Sequence, residues 1–105
     1  MDNDGGPAYT LAMWRVKKGR EEEFVDAWKG ELAEFFLSLA NPPETGTLIR
    51  SVEDPQLFYS FGPWRNLGDV REMRSHPRTA EVMGKMRDFC EEVKAGDFSA
   101  VLTIP

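Results

Sequence analysis

The chain reads as an α+β domain of order βαββαβ, a four-stranded antiparallel sheet with both helices on one face, the ferredoxin-like arrangement. Three observations predict it. Segments 8–16, 46–53, 57–62 and 97–104 carry the apolar alternation and aromatic content of strands. Residues 20–39 and the stretch after Asn66 instead repeat apolar side chains at three- and four-residue spacing. Between two of the strands, Asp54-Pro55-Gln56 has the length and chemistry of a hairpin connection.

At 105 residues this is one domain, expected over 8–105 behind a flexible tail at Met1–Pro7. A content of 41% hydrophobic and 30% charged residues is that of an ordinary globular protein. The formal net charge of -5 argues against a nucleic-acid partner, which a basic face would attract. Lys17, Lys18 and Arg20 cluster, but Glu21, Glu22 and Glu23 follow at once, so this run reads as a solvated helix start. Cys90 is the single cysteine and His76 the single histidine. That excludes an intrachain disulfide and a thiolate cage, and no metal site is expected. No apolar run reaches the length of a membrane span, and the acidic start lacks the pattern of a signal peptide. A cytoplasmic location is the expectation.

Taken in order, AYTLAMWRV over 8–16 places Tyr9, Leu11 and Met13 on one strand face and Ala12, Trp14 and Val16 on the other. Gly19 suits a turn that needs positive φ. The helix over 20–39 has a stripe of Phe24, Ala27, Trp28, Leu32, Phe35, Phe36 and Leu39, with acidic residues at the positive end of its dipole. Asn41-Pro42-Pro43 stops it. After the hairpin, Asn66 caps a helix with Asp69 at its third position, and Pro77 restarts it. Val82, Met86, Phe89 and Val93 predict a stripe, joined by Met83 and Cys90, that runs on until Gly96. The last strand is expected at 97–104.

Helices cover only one face of such a sheet, yet the strands are apolar on both. Leu57, Tyr59 and Phe61 oppose Phe58, and Phe98, Ala100 and Leu102 oppose Val101. A lone subunit would expose a large apolar patch, so a homodimer with two sheets face to face is predicted.

Three stretches, WRVKKGREEEFVDAW, FYSFGPWRN and HPRTAEVMGKM, make the chain resemble the antibiotic biosynthesis monooxygenase superfamily of dimeric α/β-barrels. The resemblance implies a pocket in each subunit between sheet and helices. Characterised members include cofactor-free monooxygenases that oxidise polycyclic phenols to quinones. Their pattern implies a tryptophan at the end of the third strand, which Trp64 matches. It has an asparagine where this chain has Ser60, a tyrosine near Val70 and an arginine at Met83. A haem-degrading branch has an asparagine on the first strand and a tryptophan and histidine on the second helix. Ala12, Met73 and Met83 stand there, so the proximal iron ligand is missing and no cofactor is expected.

Two functions from different classes follow. One is a cofactor-independent monooxygenase acting on a small hydrophobic aromatic or phenolic metabolite, with Trp64 positioning the ring and His76 assisting deprotonation. Ser60, Met83, Val70, Trp28 and Phe36 would line its pocket. The other is a non-catalytic small-molecule-binding or scaffold protein on the same fold. Each residue also has a structural reading: Trp64 as an aromatic anchor, His76 as a helix cap, Trp28 and Phe36 as core. Arg15 and Arg50, on apolar strands, either face the pocket or pair with carboxylates.

Overall fold

The computed structural model describes residues 7–105. In chain order the elements are β1 (Ala8–Val16), α1 (Glu21–Ala27), a π-helical turn (Trp28–Leu32), α2 (Ala33–Leu37), β2 (Thr47–Arg50), β3 (Leu57–Trp64), α3 (Leu67–Ser75), α4 (Pro77–Arg87) and β4 (Cys90–Ser99). The strands form one sheet of order β2-β3-β1-β4, antiparallel at every pairing. This is the predicted ferredoxin-like topology. The tail expected over Met1–Pro7 lies, except for Pro7, outside the described residues.

Strands β1 and β3 are the inner pair of the sheet, and their period-2 alternation sends one set of side chains to the face that the helices cover. Ala8, Ala12, Trp14 and Val16 are buried, with Phe58, Ser60 and Trp64 of β3 on the same face. Against them pack Phe24, Leu32 and Phe35 of the first helical run and Val70, Met73, Val82 and Met86 of α3 and α4. Trp14 and Phe24 stand 5.4 Å apart between ring centroids, and Phe24 and Phe58 5.1 Å, both tilted. Gly19 makes the β1–α1 turn at φ +91°, a conformation that costs other residues steric strain.

The first helical run, predicted as one α-helix over 20–39, is α-helical only at its ends. The backbone between Trp28 and Leu32 takes a π turn, which apolar spacing alone does not encode. The hairpin between β2 and β3 is as expected, with a longer connection. Asp54 organises it by accepting from the Gln56 amide and pairing with Arg15 Nη1 at 2.9 Å. Asn66 caps α3 by accepting from the Asp69 amide at 2.9 Å.

The last third of the chain differs from the sequence reading. Helix α4 ends at Arg87, β4 occupies 90–99 rather than 97–104, and Gly96 lies inside the strand. The cause is a bulge. Val16 pairs with Cys90 and Arg15 with Glu92, so one extra residue is accommodated there. Cys90 and Val93 therefore both face the helices at a separation of three, which copies the helical period. Glu91, Glu92 and Lys94 add the polar composition typical both of a helix surface and of an edge strand. Phe89 and Cys90 thus belong to the turn and the strand, not to a helix stripe.

Candidate functional site

A cavity of about 70 Å³ lies between the covered face of the sheet and the helices. Its floor is Thr10, Ala12 and Trp14 from β1 with Ser60, Gly62 and Trp64 from β3. Period 2 on two paired strands brings these six together, since Ala12 is opposite Ser60 and Thr10 opposite Gly62. Trp28, Leu32 and Phe36 close it from the first helical run, and Met73 and Met83 from α3 and α4.

Two indole hydrogen bonds fix the floor. Trp14 Nε1 donates to Ser60 Oγ at 2.9 Å, and Trp64 Nε1 donates to Thr10 Oγ1 at 3.0 Å. Both hydroxyls spend a lone pair on a tryptophan and keep a proton to donate. Trp64 is only 1% exposed, and its ring meets Phe36 edge-on at 5.8 Å; Phe36 meets Trp28 at 6.3 Å. The indole N–H of Trp64 is therefore engaged inside the protein, and what Trp64 presents is an aromatic face.

Of the residues singled out from sequence, Trp64, Ser60, Met83, Trp28 and Phe36 line this cavity. Val70 is fully buried in the core and is not part of the lining. His76 sits at the α3–α4 junction, where its Nδ1 accepts from the Arg78 amide at 3.1 Å and its ring stands edge-on to Phe35 at 5.3 Å. It borders a separate depression with Asn41, Asp69 and Glu72. Trp64 and His76 are thus not brought to one cavity. Arg15 pairs with Asp54, and Arg50 donates to the Pro55 carbonyl while its guanidinium lies over Phe58, so neither lines it.

Several lining residues were not singled out from sequence. Thr10 shares a strand face with Ala12 and Trp14, so alternation alone could have found it. Gly62 is present for a different reason. A Cβ there would run into the Thr45 carbonyl oxygen, so the 43–46 loop crosses β3 at a contact only glycine permits. Arg74 and Arg87 are the charged residues of the lining. Arg74 is held by Asp97 through Nε at 3.1 Å and Nη2 at 2.6 Å. Arg87 has no ion-pair or hydrogen-bond partner for its side chain among the described residues. Among the described residues, the lining contains no carboxylate, imidazole, amine or thiol.

No protein-family model matches the sequence, and no curated protein does. Solved structures do match in fold. The chain superposes on SnoaB, a cofactor-independent oxygenase from Streptomyces nogalater, with a TM-score of 0.80 at 20% identity, covering 95% of this chain and 98% of that one. An asparagine-to-alanine variant of that oxygenase gives 0.82 at 19% identity, covering 94% and 97%. A candidate antibiotic biosynthesis monooxygenase from Deinococcus radiodurans gives 0.77 at 11% identity, covering 93% and 96%. At these identities the likeness is one of fold.

Proposed function

We propose that the protein is a homodimeric member of the antibiotic biosynthesis monooxygenase superfamily that binds a small aromatic molecule in the cavity and oxygenates it without a cofactor. The observation that carries this reading is the aromatic cavity, with Trp64, Phe36 and Trp28 stacked edge to face around a few fixed donors. In such a reaction a phenolate passes an electron to O₂. One oxygen atom becomes the new quinone carbonyl and the other leaves as water. Trp64 holds the ring, and the methionines and aromatics exclude water. With no base among the described lining side chains, the substrate arrives as its own anion, favoured by an acidic phenol. His76 acts as a helix cap.

The dimer covers the other sheet face, where Tyr9, Leu11, Ile49, Tyr59, Phe61 and Phe98 are all at least 36% exposed. That is a contiguous apolar patch across all four strands, and a second sheet is its simplest cover.

The second reading, a non-catalytic binding protein, is favoured by the same missing base. Oxygen uptake with a panel of hydroxylated polycyclic phenols separates the two. Turnover by metal-free protein that falls at least tenfold in a folded Trp64→Phe variant, and is unchanged in His76→Ala, supports the oxygenase. Saturable phenol binding with no uptake supports the binding protein.

A further inference from the structure

We propose that Trp28 is the recognition residue of this cavity, its indole N–H taking an acceptor oxygen of the bound molecule. This rests on the aromatic-ligand reading above and adds a residue and a chemical preference to it.

The chain has three tryptophans, and all three line the cavity. Two have hydroxyl partners. Trp28 Nε1 is the only buried side-chain nitrogen or oxygen among the described residues with no hydrogen-bond partner. Such groups are rare because an unpaired buried donor is costly, and each one calls for a reason. Ordinary core packing gives none here, since Trp14 and Trp64 are satisfied by hydroxyls of the same floor.

The backbone supports the same assignment. Trp28 begins the π turn, and π turns re-aim side chains and concentrate at functional sites. Its ring also borders the surface groove between the first helical run and β2, beside Gly46, Leu48 and Phe58. A Cβ built on Gly46 would just reach van der Waals contact with Trp28 Cζ3 at 4.0 Å, so glycine leaves a methyl-sized space beside the ring. Trp28, with Gly46, thus lines both the groove and the cavity. Of the described side chains that line the cavity, Trp28 is the one with an unused buried hydrogen-bond donor.

The other polar groups set the preference. Ser60 and Thr10 retain protons to donate, and Arg87 is a cation without a partner among the described residues. With the Trp28 N–H and the Arg87 guanidinium, which can only donate, these groups favour a ligand that accepts. A planar molecule with a carbonyl or oxyanion satisfies Trp28; the matching hydrocarbon leaves it unpaired.

The test uses two probes of nearly equal shape, 1-indanone, which has a carbonyl, and indane, which does not. Calorimetric titration of the wild-type protein should show indanone binding about five- to tenfold tighter, as one buried hydrogen bond implies. Trp28→Phe keeps an aromatic ring and removes the N–H. In that variant the ratio of indanone to indane affinity should fall to about one, whatever the change in either affinity alone. If the variant is poorly folded, the indole ¹H–¹⁵N resonances of wild type provide the second readout: one indole N–H must move downfield with indanone, as a new hydrogen bond requires, and not with indane. Equal affinity of wild type for both probes, or equal losses for both in the variant, overturns the role of Trp28 and leaves the cavity as a ligand site. Binding of neither probe overturns both readings.

Discussion

Trp14 Nε1 and Ser60 Oγ, 2.9 Å apart, join β1 to β3 on the diagonal, because Trp14 is opposite Phe58 and Ser60 opposite Ala12. The serine is small enough to leave room beside the aromatic rings of the cavity and polar enough to take the indole proton. It serves packing and cavity together. Ser60→Ala keeps the space but leaves a buried donor unpaired, so stability should fall by about 1–3 kcal/mol in urea unfolding. An unchanged midpoint would mean that this bond does not support the floor.

Gly62 determines where the 43–46 loop lies. The Glu44 amide donates to the Pro63 carbonyl at 2.9 Å, which holds the loop over β3 next to the cavity. Gly62→Ala puts a methyl group into the Thr45 carbonyl, and a backbone atom cannot rotate away. A loss of about 1–3 kcal/mol is expected, together with faster proteolysis within 43–46. Wild-type stability and protection in that variant would contradict the close crossing.

Cys90 should be a slow thiol. Burial pushes its pKa up to about 11, and the charge of Lys17 offsets this only in part. Its Sγ also donates to the Met86 carbonyl at 3.6 Å. Near pH 8 iodoacetamide should alkylate it about a hundredfold more slowly than a free cysteine, through its smaller thiolate fraction. The linkage has a definite sign. The folded state holds this proton more tightly than the unfolded chain, so stability declines as pH rises from the ordinary thiol range towards 11. Rapid labelling of native protein at pH 8 would show that the thiol is not enclosed.

The uncovered sheet face predicts self-association. Light scattering at micromolar concentration should give twice the chain mass. The double variant Tyr59→Glu, Phe98→Glu, which charges two strands of the patch, should give the chain mass with secondary structure retained. A folded wild-type monomer would leave the patch without its proposed partner.

Much of this architecture was legible because period 2 and the helical period are strong signals. Alternation in AYTLAMWRV sorted the residues of β1 onto two faces, though both are apolar and the alternation left open which one the helices cover. Asn66 with Asp69 marked the start of α3. The β4 register was not legible, because a bulge beside Arg15 put Cys90 and Val93 three apart on one face. The π turn at Trp28 was equally hidden: it changes hydrogen-bond register without changing the apolar stripe. Trp64, Ser60, Met83, Trp28 and Phe36 came together because each lies on a core-facing position of its element. His76 did not join them. Pro77 fixes the helix restart, and the imidazole is used to cap it.

The central claim is that the space above Ala12, between Trp14, Ser60 and Trp64, is where a small aromatic molecule binds. Its most direct test is a calorimetric titration of 2-naphthol into the wild-type protein and into Ala12→Leu, whose added methyl groups fill the floor of the cavity. Saturable binding to wild type that is lost in a folded Ala12→Leu variant is the predicted result. Equal affinity in the two proteins would place the ligand elsewhere and contradict the account.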